Sequence, residues 1–262
     1  MKNLNQLLDV ALNAANHASE KMLEIYQKDF SIDYKDDKSP LTEADEASHQ
    51  IIYNLLKDLG YPVISEESKP EELIDSTSQS NRFWLVDPLD GTKEFIKKNG
   101  EFTVNIALIE NNRPILGVVA IPAQNKTYYA IQGQGAYKVK GGNAQKINCS
   151  KTADLSVATI AVSRSHLKQE DQDFIARNNI ANTKPLGSAL KYCEIADGSV
   201  DLSIRFTPLM QWDLAASDII VHEAGGVVSD FKGCGYQYDP QDSENALVDG
   251  LIARNENLVV SI

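Results

Sequence analysis

The residues best suited to chemistry stand together in Asp87-Pro88-Leu89-Asp90-Gly91-Thr92. Two carboxylates three positions apart, held on a frame stiffened by proline and closed by glycine, form a multidentate oxygen site of the kind a small hard cation such as Mg²⁺ requires. Gly91 and Thr92 then open a short helix whose first N–H groups favour a phosphate. The same six residues also fit an Asp-rich turn in which Asp90 caps a helix, and the segment alone does not choose between the two readings.

Three further acids stand where an element begins or ends. Asp45 lies three residues after Thr42, in the pattern of a capping box with Asp in place of Glu. Glu66 follows a short apolar run, and Asp213 precedes an apolar helical stretch as an N-cap would. Each has an ordinary structural explanation, but jointly they suit metal-assisted hydrolysis of a phosphate ester. Two cations about 3.5–4 Å apart can hold the attacking water on one side and the leaving oxygen on the other. In that arrangement Asp87 bridges, Glu66 completes one shell, and Asp90 and Asp213 complete the other. Thr92 supplies a hydroxyl to align the attack, and Asp45 is the carboxylate that polarises it.

Positioning these groups requires a sizeable framework. Leu4, Leu7, Leu8, Ala11, Ala15, Ala18, Met22 and Ile25 recur at helical spacing and predict a long amphipathic helix. A short strand is expected at 32–34, a second helix from Thr42 to Gly60, and a short strand at 61–65 that delivers Glu66. Residues 69–81 are charged and aperiodic and read as a loop. Phe83 to Val86 are aromatic or aliphatic without a charge, which predicts a buried strand that Pro88 should stop. Strands are expected at 102–110, 115–121 and 127–131. Beyond a change of texture near residue 150 come a strand at 159–163, a polar helix at 166–178 and a helix at 189–196. A strand at 200–206, a helix at 214–224 and a strand at 226–229 follow. Helices and strands mix without strict alternation, so the fold class is α+β, with subdomains at 1–150 and 151–262.

The 262 residues carry a formal net charge of -12, which argues against a nucleic-acid polymer as partner. No stretch approaches the ~18–20 apolar residues of a transmembrane helix. Cys149, Cys193 and Cys234 are an odd, widely spaced set without a C-x-x-C pair, and a reducing, cytoplasmic setting is expected. The polar, acid-bearing N-terminus does not read as a secretory signal.

Three separated segments carry a family resemblance: S-E-E at 65–67, W-L-V-D-P-L-D-G-T at 84–92 and W-D-L-A-A at 212–216. Together they resemble the Mg²⁺-dependent, lithium-inhibited phosphatase superfamily of inositol monophosphatase. The resemblance implies a layered α/β/α/β/α fold with the site between two subdomains. It also implies two or three Mg²⁺ ions on Glu66, Asp87, the Leu89 carbonyl, Asp90 and Asp213, with Asp45 and Thr92 as the water-activating pair. Lys93-Glu94-Phe95 after the central segment, S-R-S-H at 163–166 and G-S-A-L-K-Y-C at 187–193 are similar to the bisphosphate nucleotidases within that superfamily. Those enzymes hydrolyse 3'-phosphoadenosine 5'-phosphate to AMP and phosphate in sulfur assimilation. An inositol or sugar phosphate phosphatase with the same metal site is the alternative.

A bisphosphorylated nucleoside brings a second phosphate, which needs cationic or amide donors away from the metals. Lys191, one helical turn past Gly187 and Ser188, suits that need, with Ser163 and His166 facing it. The expected substrate contacts are therefore Glu66, Leu89, Asp90, Gly91, Thr92, Ser163, His166, Gly187, Ser188, Lys191 and Asp213. Arg164 and Arg205 could serve as extra anion contacts but, because arginines near strand ends are common, they are left off this set; His17, His49 and His222 lie within expected helices and read as structural. The resemblance admits peripheral association with the inner membrane, but no basic amphipathic helix accompanies it. Whether the chain is a monomer or a homodimer is left open by its sequence.

Overall fold

The computed structural model describes residues 2–34, 40–68, 81–165, 167–239 and 250–260. The loop expected at 69–81 lies outside these residues except for Asn81, and His166 lies outside them as well.

Helix α1 (Leu4–Tyr26) begins at a capping box in which Asn3 and Gln6 exchange backbone–side-chain bonds. Its apolar stripe packs on α2 (Glu43–Leu56), which follows a two-stranded hairpin of β1 (Ile32–Tyr34) and β2 (Pro40–Thr42). A seven-stranded sheet comes next: β3 (Val63–Ser65), β4 (Arg82–Asp90), β5 (Thr103–Glu110), β6 (Arg113–Ile121), β7 (Lys126–Ile131), β8 (Gly135–Lys140) and β9 (Asn143–Ile147). β3 pairs parallel to β4, and every later neighbour is antiparallel. Short α3 (Thr92–Ile96) lies between β4 and β5. The rings of Tyr26, Phe95 and Phe102, with centroids 4.9–5.1 Å apart, hold it against α1.

A five-stranded sheet in the order β11-β10-β12-β14-β13 follows, made of β10 (Thr159–Ser163), β11 (Asn182–Leu186), β12 (Leu202–Arg205), β13 (Gly226–Ser229) and β14 (Leu251–Asn255). Its helices are α4 (Gln169–Arg177), α5 (Leu190–Ala196) and α6 (Gln211–Glu223).

Burial sorts these elements into five layers. One face of the large sheet (Trp84, Val86, Ile106, Leu108) joins the apolar stripes of α1 and α2. The opposite face (Phe83, Leu85, Ala107, Ile109) packs on α5 and α6, which in turn pack on Ala161 and Ala253 of the small sheet. Phe174 of α4 closes the outer face of the small sheet, with Ile160, Leu202 and Ile252. The order is α/β/α/β/α. Both faces of β4 and β5 are covered, so these strands read as unbroken apolar runs rather than as alternations. The close fit of α6 shows at Gly117 of β6, where an added Cβ would stand 2.4 Å from the Ala216 carbonyl oxygen. Only a residue without a side chain allows that approach.

Several boundaries shift. The polar helix expected at 166–178 is α4, Gln169–Arg177, and the helix expected from Leu214 begins at Gln211. β11 and β14 were not expected as strands. β11 is an edge strand with a proline and mostly exposed polar residues, so it carries little apolar signal.

Candidate active site

The strand that carries the central acids does not stop at Pro88. It continues to Asp90 through a bulge: Asp87 pairs with Asn105 and Asp90 with Thr103, so three steps on β4 match two on β5. In a regular strand, positions 87 and 90 would face opposite sides of the sheet. The extra residue turns both carboxylates to the face they share with Asn105 and Thr103, towards α5 and α6. Proline fits here because a bulged residue leaves the ladder and needs no N–H partner.

Glu66 reaches the same place through β3, whose Ser65 is in register with Val86, and its own N–H donates to the Val86 carbonyl at 3.1 Å. Asp213 arrives from α6. It is the third residue of that helix rather than its N-cap, and Oδ2 accepts the Met210 N–H at 3.3 Å. Glu66, Asp87 and Asp213 each offer a carboxylate oxygen within 4.8 Å of the others. Asp90 stands beside them, its Oδ2 accepting the Ala189 N–H at 2.6 Å and, more loosely, the Asn105 amide at 3.4 Å.

Crowding and burial disfavour the ionised forms of Asp87, Asp90 and Asp213. Burial lifts Asp87 well above the usual carboxylate range, and Glu66, Asp90 and Asp213 lift it further. Asp213 is pushed up to about 8 by burial first and then by Asp90 and Glu66. Asp90 is raised by burial, with Lys191 and the Ala189 N–H opposing. Lys191 and Arg205 thus offset only part of the repulsion. A partly buried oxygen set whose negative charges would crowd one another fits a hard divalent cation. A stability prediction follows from the sign. Asp87, Asp90 and Asp213 each have a folded-state value above the unfolded one, so the metal-free fold is favoured while they stay protonated. It should lose stability as pH rises from 3.8 through about 8. Between pH 6 and 8, roughly, the melting temperature in chelator should fall, and saturating Mg²⁺ should remove the slope. A flat profile in chelator would contradict the electrostatic picture.

Asp45 combines the two readings available to it. As third residue of α2 it completes a capping box, Oδ2 accepting the Thr42 N–H and hydroxyl, both at 2.7 Å. Its other oxygen, Oδ1, accepts the Thr92 hydroxyl at 3.3 Å. Thr92 starts α3 after Gly91, whose φ of 93° is a left-handed conformation that glycine takes without strain. The cap thus fixes the carboxylate that addresses the hydroxyl.

One cavity is lined by Glu66, Asp87, Leu89, Asp90, Gly91, Thr92, Ser163, Gly187, Ser188, Lys191 and Asp213, so the structure gathers every described residue of the expected substrate set. Lys191 is 5% exposed, its Nζ donates to the Ser188 carbonyl at 2.8 Å, and burial pushes it down to about 8. Pro40, Lys93, Glu94, Tyr192, Arg205 and Leu209 complete the lining. Arg205, an extra anion contact left off the expected set because strand-end arginines are common, stands in that lining. Its sequence neighbours gave no signal, because its place depends on where β12 ends beside α5. His49, read as structural, has Nδ1 2.9 Å from the Ser65 hydroxyl and links α2 to β3.

The five-layer fold with this acidic centre belongs to the inositol monophosphatase family, whose model matches residues 3–258; its members are metal-dependent phosphatases. Within it, the chain is 40% identical over 241 residues to the 3'(2'),5'-bisphosphate nucleotidase CysQ of Escherichia coli strain K12, covering 90% of this chain and 96% of that one. Among solved structures, CysQ from Bacteroides thetaiotaomicron is similar with a TM-score of 0.81 and 35% identity, covering 97% and 98% of the two chains. The IMPase of Thermotoga maritima is similar with a TM-score of 0.80 and 26% identity, covering 96% and 93%. No helix among the described residues is long and apolar enough to cross a membrane.

Proposed function

We propose that this chain is a 3'(2'),5'-bisphosphate nucleotidase that removes the 3'-phosphate of 3'-phosphoadenosine 5'-phosphate, yielding AMP and phosphate. One observation carries this reading: a single cavity joins the acidic centre to two basic side chains, Lys191 beside the Gly187-Ser188 turn and Arg205 at the end of β12. A monophosphate ester needs only the first, whereas a nucleoside with two phosphates uses both. The relatives that share 40% of the sequence are named for this activity.

Glu66, Asp87, the Leu89 carbonyl, Asp90 and Asp213 hold two or three Mg²⁺ ions. When bound, these supply Lewis-acid polarisation of the phosphoryl oxygens and acidify the attacking water. The chain's own groups do the rest. The Thr92 oxygen accepts a hydrogen bond from the water while its own hydroxyl donates to Asp45 Oδ1, which fixes the line of attack on phosphorus. Gly91 and the start of α3 present N–H groups to the transferring phosphoryl group. Lys191 with Ser188, on the turn that begins at Gly187, binds the second phosphate, and Ser163 lies toward the nucleoside, the role the sequence also assigns to His166. The residues before about 150 contribute most metal ligands, and those after it contribute Asp213 and the nucleotide contacts. We place the reaction in the cytoplasm, where its product rejoins the nucleotide pool.

Phosphate release from 3'-phosphoadenosine 5'-phosphate, inositol 1-phosphate and fructose 1,6-bisphosphate, compared side by side with Mg²⁺, tests the substrate. The bisphosphonucleotide should have the highest kcat/KM by about 10²-fold or more, since only a substrate whose second phosphate reaches Lys191 and Arg205 gains their charge-assisted hydrogen bonds. Equal or better turnover of inositol 1-phosphate would assign the chain to the inositol phosphatases of the same family.

A further inference from the structure

Glu101 does not line the cavity, yet it collects the ends of both strands that form the nucleotide-facing wall. Its carboxylate takes a two-point contact from Arg164, Nε to Oε2 at 2.6 Å and Nη2 to Oε1 at 2.7 Å. Oε2 also accepts the Gly187 N–H at 2.8 Å. Arg164 follows β10 and Gly187 follows β11. Arg164 is itself tied to β11, donating from Nη2 to the Pro185 carbonyl at 2.7 Å and from its N–H to Leu186 at 3.1 Å. A second link runs alongside: the Ser165 hydroxyl donates to Glu94 Oε1 at 2.5 Å, and Lys97 donates to the Ser165 oxygen at 3.1 Å. The contact at Gly187 is tight, because an added Cβ there would lie 2.6 Å from Glu94 Cγ and 2.9 Å from the Glu101 carbonyl oxygen.

An isolated exposed ion pair contributes little. Glu101 differs because its side chain is only 13% exposed and takes a forked guanidinium and a backbone N–H at once, a geometry that fixes direction as well as distance. We propose that Glu101 is a positioning residue for the nucleotide: it sets the Ser163–Ser165 segment and the Gly187-Ser188 turn at a fixed height above the acidic centre. It touches neither substrate nor metal and acts through Arg164 and Gly187. The proposal rests on the bisphosphonucleotide reading for its kinetic consequence, but not for its structural one.

Glu101→Gln keeps the shape and removes the charge, and Glu101→Ala removes both. For either variant KM for 3'-phosphoadenosine 5'-phosphate should rise about five- to tenfold, because small displacements of a positioning wall weaken binding steeply. Turnover of para-nitrophenyl phosphate, which needs only the acidic centre, should stay within about twofold. Independently of any substrate, hydrogen exchange at the Arg164 and Gly187 amides should accelerate by about tenfold or more. Unchanged KM and unchanged exchange would overturn the proposal. So would an equal loss on both substrates with a lowered melting temperature, which marks a merely structural residue. Should both variants fail to fold, Arg164→Gln leaves the Gly187 bond in place and must show the same split in smaller measure. If the wild-type protein does not turn over the bisphosphonucleotide, the substrate reading fails, and the exchange experiment still decides the role of Glu101.

Discussion

Asp87→Asn should lower kcat by about 10³-fold or more while raising the melting temperature of the metal-free protein. The loss follows from position: Asp87 is buried and stands in the same oxygen set as Glu66 and Asp213, so it is the group best placed to be shared between ions. The gain follows from charge. Burial and three neighbouring acids all disfavour its ionised form, and the amide of Asn is neutral at every pH. Asn also keeps an oxygen where Asp87 Oδ1 accepts the Leu89 N–H at 3.0 Å, so the turn should survive. Each kcal/mol of relieved repulsion should lift the midpoint by about 2–4 °C in a chain of this size. Wild-type protein should be stabilised further by Mg²⁺, and the variant only weakly. Loss of activity together with a lower midpoint in chelator would instead indicate a packing defect. Such exchange of activity for stability is expected wherever function requires like charges to be held together.

The second large effect is expected at the hydroxyl. Thr92→Val should reduce kcat by about 10²–10³-fold, the range of a positioned proton-transfer partner, with KM changed by no more than about twofold. Thr92 is only half-buried and its hydroxyl bonds Asp45 at 3.3 Å, so the melting temperature should barely move. Asp45→Ala should show the same kinetic loss and, in addition, cost about 1 kcal/mol of stability, because the same carboxylate caps α2. The double variant should be little worse in kcat than either single one, since the two act as a unit. Steady-state kinetics and thermal melts on the four proteins separate the contributions. Additive losses would mean that Thr92 and Asp45 serve different steps.

Both residues were legible in the sequence for a local reason. A capping box, a glycine before a short helix and an acid after a strand are signatures spanning a few residues, and each survives in the structure. Local rules failed at Pro88. The rule that proline ends a strand holds for a ladder position, but the bulge removes position 88 from the ladder. They also failed for Arg205, Glu94 and Glu101, whose sequence surroundings resemble those of any charged residue at an element end. β11, polar and at a sheet edge, lacked the apolar pattern that revealed β4 and β5.

By itself, the sequence determined which acids and hydroxyls are candidates for chemistry and most of the elements that hold them, because residue type, capping and periodicity act over one or two turns of chain. It also supported the layered fold through resemblance. The tertiary structure alone decided convergence. Glu66 meets Asp87 because β3 pairs in register with β4, and Asp90 joins the same face because one residue bulges out. Asp213 reaches both because α6 lies against β6 at Gly117. Sheet register and helix packing arise from burial summed over the whole core, a quantity no short stretch contains.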